Sequence, residues 1–172
     1  CMYVRVYECM CVGACVCGWK EVDDELRWGA GCDVTVTDRV EAEDLLQRNG
    51  DAHRDLIGEA GGSYRSAVLD RTDGDHVESL RQQVSPSFDV IVGSEVVYKP
   101  SVLPDLLSCV LALRTDNSQC FFAFEERDPD TTALFVSLFQ EHFSIHKVSP
   151  RRLHSQHQPP HILVYELLPR RP

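Results

Sequence analysis

With 172 residues, 43% of them hydrophobic and 26% charged, the chain fits one globular domain and can bury a real core. A formal net charge of -10 argues against a partner held mainly through nucleic-acid phosphates, and no apolar run approaches the length of a membrane span. The chain starts at Cys1 rather than Met, which leaves open a fragment that has lost a leading or targeting segment.

Residues 1–28 read unlike anything after them. Met2 to Tyr7 alternate like a strand, and Cys9-Met10-Cys11-Val12-Gly13-Ala14-Cys15-Val16-Cys17 then alternates Cys with small apolar residues. A C-x-C-x3-C-x-C run offers four thiolates but lacks the C-x2-C turns of zinc sites, so no metal is expected there. Cys-Val alternation is also what translated TG-rich repeat DNA gives, so the segment reads as a poorly ordered terminus or a gene-model artefact. Cys32, Cys109 and Cys120 are scattered, and the last two sit in apolar runs as expected of core thiols. This is no secreted disulfide framework. A reducing, cytoplasmic setting is expected, with a nuclear one also open.

From Asp33 the pattern is clean. Val34-Thr35-Val36-Thr37 is β-branched throughout and predicts a strand that Asp38 ends. A helix follows with Ala42, Leu45, Leu46 and Asn49 on one face, and Asn49-Gly50 as its stop. An acid between strand and helix can hydrogen-bond a ribose or simply cap the helix; the spacing does not choose. Residues 50–65 read as a polar connection, Ser66 to Leu69 as a short strand ending at Asp70, and His76 to Val84 as a helix. Val90 to Val92 predicts a strand buried on both faces, as in a parallel sheet. It delivers Gly93-Ser94-Glu95 and Tyr98 at its carboxyl end, where open parallel sheets bind ligands.

Beyond Lys99-Pro100-Ser101, the Leu103, Leu106, Leu107, Val110, Leu111 stripe predicts a helix, with Pro104 tolerated in its first turn. Asp116-Asn117-Ser118 reads as a turn, and Cys120 to Phe124 as a second doubly buried strand ending in Glu125-Glu126-Arg127. Asp128-Pro129 reads as the N-cap and first residue of a helix that presents Phe135, Leu138, Phe139 and His142. Phe143 to Val148 and Ile162 to Leu167 have no helix between them and should form an antiparallel hairpin. His154, His157 and His161 lie in a Pro-rich loop without ligand-like regularity. The order is α/β: a mostly parallel sheet covered by helices, with an antiparallel last hairpin.

These residues resemble a known family. Val34-Thr-Val-Thr-Asp38 followed by Leu45-Leu46-Gln47-Arg48-Asn49 is similar to class I S-adenosylmethionine-dependent methyltransferases. Phe88-Asp89-Val90-Ile91-Val92-Gly93-Ser94-Glu95-Val96-Val97-Tyr98 resembles the acid-x-x-Tyr signature of the family-16 protein-lysine methyltransferases. Phe124-Glu125-Glu126-Arg127-Asp128 and His161-Ile162-Leu163-Val164-Tyr165 resemble the same family. The likeness covers a methyltransferase-like domain at residues 29–168, followed by a tail at 169–172.

The resemblance implies a Rossmann-like seven-stranded sheet and methyl transfer from S-adenosyl-L-methionine to a lysine of a protein substrate. Chaperones or translation factors are the implied partners, with a monomeric enzyme, no nucleic acid and no membrane. It implies Asp38 on the cofactor ribose, Asp70 and Arg71 beside the adenine, and Ser94 at the cofactor. Glu95 and Tyr98 would then be catalytic, near the methyl donor and the lysine, with Glu125 and Glu126 at the substrate entrance. The sequence departs from the family in two places. The family's E-x-G-x-G-x-G loop after the first strand is absent, so that strand is expected to be missing, atypical or replaced by Met2–Tyr7. The segment after the third strand also has no Trp. The missing loop favours a second reading, an inactive methyltransferase-like binding module or a truncated fragment. A nicotinamide dehydrogenase fails because it too needs the glycine fingerprint.

Overall fold

A computed structural model of the chain describes residues 10–14, 33–59, 61–83, 88–153 and 161–170. Within them, strands β1 (Met10–Ala14), β2 (Asp33–Asp38), β3 (Ser63–Val68), β4 (Phe88–Ser94), β5 (Arg114–Glu125), β6 (Phe143–Lys147) and β7 (Ile162–Pro169) form one sheet in the order β3-β2-β1-β4-β5-β7-β6. Helices α1 (Glu43–Glu59), α2 (Gly74–Gln83), α3 (Leu103–Leu113) and α4 (Pro129–Phe139) connect them. The pairings make β2 to β6 point one way and β1 and β7 the other. Among the described residues no helix is long and apolar enough to cross a membrane.

The α/β order and the antiparallel end of the sheet agree with the sequence reading. The first strand is present and atypical, and it is formed by residues other than Met2–Tyr7. The central place is filled by Met10–Ala14, inside the Cys-rich segment, while Met2–Tyr7 lies outside the described residues. β1 also runs antiparallel to both neighbours: Met10 pairs with Thr37 and Gly93, Gly13 with Val34 and Val90, and Ala14 with Asp33. The sheet is therefore mixed at its centre. The thiols of the Cys9 to Cys17 run, where no metal is expected, lie outside the described side chains.

Local chemistry explains the elements. α1 does not stop at Asn49-Gly50 but continues to Glu59; Gly50 is there to admit the Tyr64 ring, with which a Cβ would collide. Tyr64 Oη also donates to the Leu46 carbonyl at 2.8 Å, clamping α1 onto β3. The true stop is Gly61, at φ 82, with Gly61 N–H bonded to Gly58 O and Gly62 N–H to Ile57 O: a Schellman ending. β5 starts early, at Arg114, and the expected Asp116–Ser118 turn is an irregularity within it. There Ser118 Oγ donates to Phe88 O and accepts from Thr115 N–H, absorbing the extra residues. α4 begins as expected, with the Asp128 carboxylate accepting from the Asp130 and Thr131 backbone N–H groups.

The core lies on one face of the sheet. Thr35, Ile91, Cys120 and Leu167 align across the ladders and are all buried, under α2, α3 and α4. Phe122, Phe124, Phe135, Phe139 and Tyr165 form a ring cluster with centroids 4.6–5.8 Å apart, each pair adding about 0.5–1.5 kcal/mol beyond area burial. On the other face Val90, Val92 and Phe121 are only partly buried, so β4 and β5 are not the doubly buried strands expected. Gly93 is required on the core face: a Cβ there would sit 2.6 Å from the Phe122 ring and 2.9 Å from Val96.

Two outcomes follow. Gly93→Ala should destabilise the fold by about 1–3 kcal/mol through overpacking, read as a lower urea midpoint; an unchanged midpoint would contradict this packing. Cys109 and Cys120 are buried and their thiols are pushed up to about 12 by desolvation. Both should resist alkylation at pH near 8 in the native protein and react only after unfolding, as peptide mapping would show.

Candidate active site

Because β2, β3, β4 and β5 point the same way, their carboxyl ends meet at one edge of the sheet. That edge collects Asp38, Asp70, Ser94, Glu95, Glu125 and Glu126. Thr37 and Gly93 both pair with Met10, so Asp38 and Ser94 stand about two strand spacings apart, roughly 10 Å.

Glu95 is the most constrained of these residues. Its φ of 54 is a left-handed conformation costly for a residue with a side chain, by about 1–2 kcal/mol. Two bonds to β5 hold it there. Its N–H donates to Ala123 O at 2.9 Å, and its Oε1 accepts from the Glu125 N–H at 3.0 Å. Its Oε2 faces Arg127 Nη2 at 3.3 Å, and Arg127 Nε reaches Glu125 Oε2 at 3.2 Å. The Glu95 side chain is 23% exposed, so the carboxylate is open to a ligand yet fixed in direction.

The other predicted residues divide. Asp38 is half-buried; its Oδ1 accepts from Arg39 N–H at 2.7 Å and its carbonyl accepts from Leu69 N–H, tying the ends of β2 and β3 together. The 3-10 turn that follows has Arg39 at its N-cap with no side-chain cap, so Asp38 is not serving as that helix's N-cap. The Asp70 carboxylate accepts from both the N–H and the Oγ1 of Thr72, which holds it below the usual carboxylate range. Arg71 Nη1 is buried and meets no acceptor among the described residues. Ser94 is half-buried opposite Ala123. Tyr98 is half-buried with Lys99 Nζ 5.5 Å from its ring centre. Glu126 is exposed, its N–H bonded to His161 O. Arg127 was not singled out as a site residue; the signal was the Glu-Glu-Arg run after β5. A cleft of about 270 Å³ between β3 and α2, lined by Val68, His76 and their neighbours, contains none of these acids.

The family described as lysine methyltransferase matches residues 11–142. The chain belongs to that family. It is similar to the mouse protein N-lysine methyltransferase METTL21A, with 30% identity over 122 residues, which cover 69% of this chain and 50% of that one. The chain thus spans about half the length of that curated relative. Among solved structures, the PH0226 protein from Pyrococcus horikoshii matches with a TM-score of 0.50 at 12% identity, over 81% of this chain and 73% of that one, a likeness of fold. SMU.1697c from Streptococcus mutans, solved in complex with SAH, gives a TM-score of 0.45 at 16% identity over 79% and 76%.

Asp38 and Asp70 bring carboxylates to this edge, and the neighbouring Arg71 Nη1 is a buried donor with no acceptor among the described residues, the polar types that the nucleoside end of the family's methyl donor would need. Among the described residues, no glycine-rich loop stands at this edge to take the methionine end of that donor. β1 is reversed, so its carboxyl end, Ala14, lies beside Asp33 at the opposite edge.

Protonation of the edge should be visible in stability. Asp70 and Asp128 are both held below the ordinary range, chiefly by bonds from threonine hydroxyls. Lowered carboxylates contribute stability that is present above the unfolded value near 4 and is lost as pH falls through the folded values. The thermal midpoint should therefore drop below about pH 4, with a shallower drop in Asp128→Ala. Equal slopes in both proteins would contradict the Asp128 contribution.

Proposed function

We propose that this edge accepts S-adenosylmethionine and the lysine of a protein substrate and carries out methyl transfer between them. The reading is carried by Glu95: a strained residue in the family's acid-x-x-Tyr signature, its carboxylate fixed to β5 and open to solvent. Asp38, Asp70 and Arg71 would hold the nucleoside, with Ser94 beside it. Asp70 acts through the turn it shapes, since Thr72 occupies its Oδ1.

The methyl donor supplies an electrophilic carbon on a sulfonium. The lysine nitrogen's lone pair forms the new C–N bond while the C–S electrons leave with sulfur as a neutral thioether. No covalent enzyme intermediate is needed, and the residues contribute positioning. The amine first gives its proton to water, which at pH 7 costs about 4–5 kcal/mol for an unperturbed lysine. An isolated carboxylate beside it would oppose that loss. Glu95 is therefore an orienting acceptor, Tyr98 lines the amine's approach, and Glu125 and Glu126 face the entrance. A chaperone or translation factor is the proposed substrate class, met in the cytoplasm or nucleus by a monomer, without nucleic acid.

A second reading, a binding module without turnover, is favoured by the reversed β1. Incubation with labelled S-adenosylmethionine and total cellular protein separates them. Methyl-lysine is expected from the wild type and at least a hundredfold less from Glu95→Ala, on the order of a lost positioning group. Equal turnover by both proteins would remove the role of Glu95, and none from the wild type would leave the binding module.

A further inference from the structure

We propose that Arg127 is a positioning residue that keeps the Glu95 and Glu125 carboxylates from holding the substrate lysine as its unreactive ammonium ion. This rests on the reading of Glu95 as the group that orients the amine. One guanidinium spans both acids: Nη2 lies 3.3 Å from Glu95 Oε2, and Nε lies 3.2 Å from Glu125 Oε2. The other Glu95 oxygen is taken by the Glu125 N–H, so the carboxylate cannot swing away from Arg127 without losing a backbone bond.

The chain around Arg127 is fixed as well. Its N–H donates to Glu125 O at 3.0 Å, and the next residue, Asp128, is locked onto the first turn of α4. Among the other described charges near the edge, Arg39 pairs with Glu41, Arg71 Nη1 is buried without an acceptor, and the rest are engaged elsewhere or carry the same sign as Glu95. Lys99 sits over the Tyr98 ring, Asp128 caps α4, and Glu126 adds a further acid beside His161. Arg127 is thus the cation paired with Glu95.

The chemistry of the pair gives it a consequence. Two bare carboxylates would bind a lysine ammonium well and raise its affinity for the proton, but only the neutral amine can attack a methyl group. A guanidinium stays charged throughout the range in which lysine titrates, so it offsets both acids without competing for the proton. A carboxylate has about four acceptor positions, so Glu95 can accept from Glu125 and Arg127 and still accept from the amine.

The test compares wild type, Arg127→Met, Arg127→Lys and Glu95→Gln in methyl transfer from labelled S-adenosylmethionine to total cellular protein, across about pH 6 to 10 around the lysine range. Arg127→Met is expected to half-saturate at lower protein concentration while kcat near pH 7 falls about tenfold, its pH profile displaced about one unit to alkaline. Arg127→Lys should restore most of the profile. Loss of equal size at every pH, accompanied by a lower thermal midpoint, would overturn the proposal and make Arg127 merely structural. So would a wild-type profile in Arg127→Met while Glu95→Gln is inactive. Wild-type turnover by Glu95→Gln, or no turnover by the wild type, would instead remove the reading of Glu95 and the proposal with it.

Discussion

The pairing of β4 with β5 is the constraint on which the rest of the structure depends. It puts Gly93 against the Phe122 ring on the core side, leaving no room for any side chain at that position. One turn of chain later it holds Glu95 at φ 54 through bonds to Ala123 and Glu125. Below the strands this pairing seats the aromatic cluster against α4; at their carboxyl ends it fixes the Glu95 carboxylate against β5, on the edge where Asp38 also stands. Core and site therefore share one ladder. A disturbance of that ladder reaches both.

The reversed β1 limits what the site inherits from its family. A strand that runs with its neighbours would deliver the following backbone to the edge of Asp38 and Glu95. Here that edge receives the amino end of β1 at Met10, and Ala14 lies with Asp33. Among the described residues, acidic residues from β2, β4 and β5 are thus brought to an edge where the strand between β2 and β4 enters by its amino end.

Much of this was legible in the residues because the signals were local. The Val34–Thr37 run is β-branched, Asp128-Pro129 is a self-contained cap, and Cys109 and Cys120 sit in apolar runs; each was found where expected. What was missed depended on partners distant in sequence. Gly50 reads as a stop until Tyr64, from the next strand, lies across it. Asp116 to Ser118 read as a turn because the bond from Ser118 to Phe88 O cannot be seen along the chain. The direction of β1 is set by its two neighbours rather than by its own alternation. Arg127 was visible only as part of a charged run, since its meaning comes from Glu95, in another strand's turn.

The most direct measurement of the central claim is calorimetric titration of the chain with S-adenosylhomocysteine, the demethylated product of the proposed donor, for wild type, Asp38→Ala and Glu95→Ala. If the carboxyl edge of the sheet is the donor site, the wild type binds, Asp38→Ala binds at least about tenfold more weakly, which is the loss of one good hydrogen bond, and Glu95→Ala binds nearly as the wild type does. No binding heat from the wild type, or unaltered affinity in Asp38→Ala, would contradict it.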